Sequence, residues 1–247
     1  MSLFKKKSKH TSQGKICIGE HGGHVEGYNR LKDNILYLNA DGKNKVIQIE
    51  SSVSAEGKTT VICNLAVSLG QTNKKVIVVD LDFRRPRTHR LFGVSKDLGV
   101  AEYILGDASI KDIAKHTKYE NVDVITRGAD IYNSALVLVS DKFKEFIEKL
   151  REEYDYVLLD CAPVLQISDF IHIAKVSDGV LFLVAYASTT KAQVAEAVKE
   201  LRKNGANILG TVFTMYDRKK DKDYGKYYGY YHYYNRYTET DSDKDEE

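Results

Sequence analysis

Six short apolar runs, separated by stretches patterned as amphipathic helices, constrain the fold of this chain more than anything else in it. They are Val46-Ile47-Gln48-Ile49, Val76-Ile77-Val78-Val79, Val122-Asp123-Val124-Ile125, Tyr156-Val157-Leu158-Leu159, Gly179 to Val184 and Ile208 to Phe213. Nearly continuous apolarity, rather than strict alternation, is what a strand buried on both faces requires. Between the runs, Phe143, Phe146, Ile147 and Leu150 recur at helical spacing, as do Val194, Ala197, Val198 and Leu201. Strands alternating with helices imply an α/β domain: a mostly parallel sheet with helices on both faces. One more helical pattern, from Val25 through Tyr28, Leu31, Ile35 and Leu38, precedes the first strand and closes at the turn signal Asp41-Gly42.

Three segments are expected. Residues 1–22 are polar, glycine-rich and unpatterned, an extended lead-in; residues 23–216 hold the α/β domain; residues 217–247 form a flexible, disordered tail. The tail contains no aliphatic residue and so cannot build a core of its own. Its residues 217–226 are dense in charge, and eight of the chain's 17 tyrosines follow in residues 224–237, with six acidic side chains in residues 239–247.

Charge and cysteine content remove several function classes. With 37 basic and 35 acidic residues the net charge is +2, so no global field favours nucleic acid, and electrostatic partners must be met locally. Lys5-Lys6-Lys7-Lys9 and Arg84-Arg85-Arg87-Arg90 are two such basic places, with a solvated surface as the default reading of each. Cys17, Cys63 and Cys161 fit neither a disulfide framework nor a CxxC metal motif, as expected in a reducing cytoplasm. The longest apolar run, Gly179 to Ala187, falls far short of the roughly 20 residues that cross a bilayer. A membrane role would therefore need a partner to bring the chain there.

Ser51-Ser52-Val53-Ser54-Ala55-Glu56-Gly57-Lys58-Thr59 lies between a strand and a helix, the context that makes a phosphate-binding loop specific. Backbone N–H groups at the helix start cradle phosphate, Lys58 neutralises the outer phosphates, and the Thr59 hydroxyl is a magnesium ligand. Ser52 replaces the leading glycine of the usual spacing. Asp80 and Asp82 follow Val76 to Val79, and Asp160 follows Tyr156 to Leu159, so three carboxylates fall at the strand ends where parallel sheets bind ligands. Capping of the next helix is the plainer alternative for Asp80 and Asp82, and strand-end capping for Asp160.

At these residues the chain resembles the bacterial tyrosine kinases of capsular and exopolysaccharide synthesis, of the cytoplasmic kind that depends on a separate membrane activator. The resemblance rests on three boxes: Gly57-Lys58-Thr59, the run from Val79 to Pro86 of the form Val-Asp-x-Asp-x-Arg-x-Pro, and Leu158-Leu159-Asp160-Cys161-Ala162-Pro163. The tyrosine cluster extends it to Tyr237. It implies a P-loop NTPase-like fold and ATP-dependent phosphorylation of protein tyrosine with Mg2+. The nucleotide-contacting stretch would be Ser54, Ala55, Glu56, Gly57, Lys58, Thr59 and Thr60, with Thr59, Asp82 and Asp160 at the metal. Lys58, Asp80, Asp82 and Asp160 would be the catalytic set.

Asp80 is the candidate acceptor of the tyrosine proton. A tyrosine pKa of about 10 against about 4 for aspartate means that Asp80 orients the hydroxyl and takes its proton late, not beforehand. The implied phosphoacceptors are Tyr224, Tyr227, Tyr228, Tyr230, Tyr231, Tyr233, Tyr234 and Tyr237. Implied partners are a transmembrane chain-length regulator that activates the enzyme, further copies of the chain in a ring, and a cognate phosphatase. The implied location is cytoplasmic, at the inner face of the membrane through that regulator.

The chain also departs from the family pattern. The interface motif Glu-x-x-Arg-x-x-Arg keeps Glu26 but has Asn29 and Lys32 at the arginine positions, Ser54-Ala55 stand where Pro-Gly is usual, and Thr214 where asparagine often ends the last core strand. Competing functions are a partitioning-type switch ATPase and a non-catalytic nucleotide-dependent scaffold. The ATPase carries a signature lysine where this chain has Val53. A nucleic-acid stacking platform in the tail is opposed by the acidic end from Glu239.

Overall fold

A computed structural model describes residues 14–18 and 23–216. Along the chain run α1 (Gly23–Leu38), β1 (Val46–Ser51), α2 (Lys58–Gly70), β2 (Val76–Asp80), α3 (Thr88–Phe92), α4 (Val100–Leu105), α5 (Ile110–Ile113), β3 (Lys115–His116) and β4 (Val122–Ile125). Then follow α6 (Ser134–Val139), α7 (Asp141–Glu153), β5 (Tyr156–Asp160), α8 (Phe170–Ile173), β6 (Gly179–Ala185), α9 (Lys191–Lys203) and β7 (Ile208–Thr214). The seven strands form one sheet in the order β3-β4-β2-β5-β1-β6-β7, parallel throughout except for the two-residue edge strand β3. All six apolar runs are strands, and the parallel α/β expectation holds.

The residues alternate between two cores, as the twofold period of a strand requires. Val76 and Val78 of β2 pack with Ile47, Ile49, Leu158 and the α2 residues Val61, Ile62, Leu65 and Leu69. Ile77 and Val79 pack on the other face with Val157, Leu159 and the α7 residues Phe143, Phe146, Ile147 and Leu150. Those four α7 side chains are fully buried, which accounts for their helical spacing in the sequence. Ser140 caps the helix by accepting the Phe143 amide at 3.1 Å.

The chain reaches β2 from β1 by crossing over β5, which lies between them. Three neighbouring strands, β2, β5 and β1, therefore deliver the arginine-rich loop, Asp160 and the phosphate-type loop to one edge of the sheet, a switch point of the kind where α/β sheets bind ligands. The segment 14–18 lies along α2: Asn64 accepts the Cys17 amide at 2.7 Å and donates to the Lys15 carbonyl at 2.9 Å. The tyrosine cluster and residues 1–13 lie outside the described residues. Among those described, no helix is long and apolar enough to cross a membrane.

Candidate functional site

The loop between β1 and α2 is held from inside by Glu56. Its carboxylate, 1% exposed, accepts the Val53 amide at 2.7 Å and the Ala185 amide at 3.3 Å, and also binds the Thr189 hydroxyl. The Glu56 carbonyl accepts the Thr214 hydroxyl at 2.7 Å. One buried acid thus closes the loop on itself and ties it to the ends of β6 and β7. The Glu56 side chain faces the protein, so it is the Glu56 backbone that belongs to the loop's concave surface. Thr214, the departure at the end of the last core strand, serves as the loop's second anchor.

Two residues of this loop have left-handed backbone. Gly57, at φ 91°, carries no penalty there and introduces α2; Ala55 sits at φ 67° with a side chain that disfavours it. Helix α2 then begins at Lys58, and the N–H groups of its first turn have no acceptors within the helix. Together with the helix dipole they form an anion site. The Lys58 ammonium, almost buried, donates to the Ser51 hydroxyl at 2.8 Å. Ser54 bonds Gln166 at 2.7 Å across the rim, and the Ser52 hydroxyl is buried with no protein partner.

Asp80 and Asp160 stand opposite each other as register partners at the ends of β2 and β5. Both are fully buried. Desolvation first, and then their mutual repulsion for Asp160, push both carboxyls well above the usual aspartate range. Their surroundings differ. Asp80 Oδ2 accepts the Thr88 hydroxyl at 2.7 Å and the amides of Arg87 and Thr88 at 3.0 and 3.1 Å, while Oδ1 accepts the Asp82 amide at 3.2 Å. Neither oxygen of Asp160 has a protein partner. Lys58 and the nearby Thr59 hydroxyl offset part of its desolvation.

Asp82 is half-buried, and its Oδ1 accepts the amides of Arg84 and Arg85 at 3.2 and 2.9 Å. Helix and turn capping by Asp80 and Asp82, the plainer alternative from the sequence, is therefore present together with their strand-end placement. It arises because the loop through Pro86 doubles back and lays its amides on the carboxylates.

Two unpartnered carboxylate oxygens on Asp160, the Thr59 hydroxyl and Asp82 are hard oxygen donors, the type a magnesium ion takes. Among the described residues no three His, Cys, Asp or Glu side chains are clustered to hold a metal unaided. Phosphate and water would have to complete the shell, as is usual for magnesium.

Residues missed in the sequence lie just beneath. Glu50, wholly buried on β1, accepts Gln48 Nε2 at 2.6 Å, and burial pushes its carboxyl to about 8. Two polar residues spaced by two in an otherwise buried strand were the available signal. Ser51 and Thr88, which hold Lys58 and Asp80, carried none. Of the interface candidates, Glu26 pairs with Arg30 in its own helix at 3.1 Å and Lys32 with Asp33 at 3.3 Å. Asn29 accepts the Ser68 hydroxyl of α2 at 3.3 Å.

Known proteins resemble this chain in sequence and fold. The family model described as AAA domain matches residues 44–210. Tyrosine-protein kinase YwqD of Bacillus subtilis (strain 168) is 30% identical over 228 residues, 92% of this chain and 96% of that protein. The kinase domain of Escherichia coli tyrosine kinase ETK superposes with a TM-score of 0.77 at 25% identity, over 86% of this chain and 88% of that one. The septum site-determining protein MinD of Pyrococcus horikoshii OT3, solved as a complex with Mg-ADP, gives a TM-score of 0.61 at 28% identity over 72% of each chain.

Proposed function

Because this chain belongs to the AAA-domain family and, within it, to the bacterial tyrosine-protein kinases, we propose that it transfers the γ-phosphoryl group of ATP to the tyrosines of its own C-terminal cluster, in trans between copies. The observation that carries the proposal is the convergence of the Lys58 loop, Asp80 and Asp160 on three adjacent strand ends, in a chain 30% identical to a tyrosine-protein kinase. ATP supplies the phosphoryl group and magnesium neutralises its charge when bound. The loop amides and Lys58 bind the phosphates, with the Ser51 hydroxyl holding the ammonium in place. Thr59, Asp82 and Asp160 hold the metal.

Asp80 orients the tyrosine hydroxyl and accepts its proton late. Oδ1 is the oxygen for that task, because Oδ2 already accepts three hydrogen bonds. With Oδ2 fixed by Thr88 and the amides of Arg87 and Thr88, the carboxylate cannot rotate away, which is the positioning that phosphoryl transfer rewards. The acceptors are Tyr224, Tyr227, Tyr228, Tyr230, Tyr231, Tyr233, Tyr234 and Tyr237. In the wider reading the enzyme regulates capsular or exopolysaccharide synthesis at the inner face of the membrane. A transmembrane regulator would activate it there, and a phosphatase would reset it.

The test is incubation of the full chain with ATP and magnesium, alone and fused to the activator's cytoplasmic segment, beside Lys58→Met. Phosphotyrosine that disappears in the variant supports the kinase. Inorganic phosphate released without phosphotyrosine would instead identify a switch ATPase.

A further inference from the structure

Arg84, Arg85, Arg87 and Arg90 are all exposed, and none of their side chains has an acidic partner among the described residues. Of the other described arginines, exposed Arg30 and the part-buried Arg127 and Arg151 are each paired with a carboxylate, while exposed Arg202 is not. The loop bearing the free arginines is not loose. Asp82 accepts the Arg84 and Arg85 amides, Asp80 accepts that of Arg87, and Arg90 follows on α3, bonded through its amide to the Arg87 carbonyl. The two carboxylates thus fix the backbone while four guanidinium groups project outward beside the site. Burial first, and then Arg90, Lys96 and Arg127, hold the His89 imidazole nearby below its usual range.

We propose that these four arginines form a docking surface for an acidic peptide, and that its occupant is the acidic end, residues 239–247, of a second copy of this chain. The inference rests on the tail being the phosphoacceptor and adds how it is captured. Charge complementarity argues for it, since residues 239–247 carry six carboxylates against one lysine. Spacing argues for it as well. The arginines begin two residues after Asp82, and Glu239 follows Tyr237 by two residues and Tyr230 by nine. At about 3.3–3.6 Å per extended residue, Tyr237 or Tyr230 placed at Asp80 leaves Glu239 within roughly 7 or 32 Å of it, so the acidic end can reach the arginines. Arginine forks suit carboxylates better than ammonium groups do. Docking through residues that are not themselves phosphorylated would let successive tyrosines be presented to one site.

The test is fluorescence anisotropy with a labelled peptide of residues 238–247, which contains no tyrosine, titrated with the full chain. Exposed ion pairs each change affinity by about 1.4- to 5-fold, so replacing all four arginines by glutamine should weaken binding at least about fourfold. Replacing Lys142, Lys144, Lys199 and Lys203 by glutamine, the same loss of charge elsewhere, should leave it unchanged. Binding should also weaken as salt rises, and fail for a peptide whose carboxylates are amides, an arm that leaves the protein intact.

Equal affinity for the wild-type chain and the four-arginine variant would overturn the proposal. So would tighter binding of a single-stranded oligonucleotide of equal charge. In a kinetic arm, neutralising the carboxylates of a Lys58→Met chain used as substrate should raise its KM about tenfold with kcat unchanged. Complete absence of tyrosine phosphorylation would refute the kinase reading instead, and the peptide titration would still decide the docking surface.

Discussion

Ala55 occupies left-handed backbone at φ 67°, a conformation that suits glycine and disfavours a side chain. The side chain is exposed, so nothing packs against it in compensation. Ala55→Gly should therefore stabilise the protein by about 1 kcal/mol, measured by urea unfolding; a loss of stability would show that the loop is not strained there. Glu50 yields a pH prediction. Its folded pKa of about 8 lies above the ordinary carboxylate value, so the folded state binds the extra proton and stability falls as pH rises from about 4 to about 8. Glu50→Gln removes this loss, and its advantage over the wild type should grow from near zero at low pH to a few kcal/mol above pH 8. Melts at pH 5 and pH 8.5 showing a constant difference would contradict it. At this scale the sequence marks Lys58, Asp80 and Asp160 because each closes a recognisable strand or loop. It marks Glu50 only by its polarity, with Gln48, in a buried strand, and leaves Thr88 unmarked, since the role of Thr88 comes from its contact with Asp80.

The short helix α3 shows what an element adds to the residues it carries. Thr88 opens it and is wholly buried, with its hydroxyl on Asp80 at 2.7 Å. The helix start and the candidate base therefore hold each other. Thr88→Val keeps the shape and removes that bond, which for a charged acceptor contributes about 1.5–3 kcal/mol. The variant should lose stability of that order, and its phosphotransfer rate should fall while nucleotide affinity stays near wild type. Unchanged turnover would mean that Asp80 needs no such support. Strands and long helices were legible because they are buried continuously or on one face: the α7 pattern is four fully buried side chains. Helices α3, α4, α5, α6 and α8, of four to six residues, are too short to display a period. Strand β3 is two charged or polar residues at a sheet edge and resembles a loop in sequence.

At the scale of the whole molecule, assembly should answer to tail charge. Residues 216–247 carry seven basic and nine acidic side chains, and eight phosphotyrosines would add roughly 12 to 16 negative charges. Tails so modified should be repelled from a site containing Asp80, Asp82 and Asp160, so phosphorylation should lower the oligomer mass seen by light scattering. The same mass before and after modification would count against this. Of the interface candidates on helix α1, Glu26, Asn29 and Lys32 each have a partner within the protomer. The most direct measurement is mass-spectrometric mapping after mixing two full chains with Mg·ATP and the activator segment. One chain is Lys58→Met and serves only as substrate; the other has its eight tail tyrosines replaced by phenylalanine and serves only as enzyme. Phosphate on Tyr224 to Tyr237 of the Lys58→Met chain is the expected result. Its absence, with ATP consumed and inorganic phosphate released, would contradict a tyrosine kinase acting in trans on its own tail.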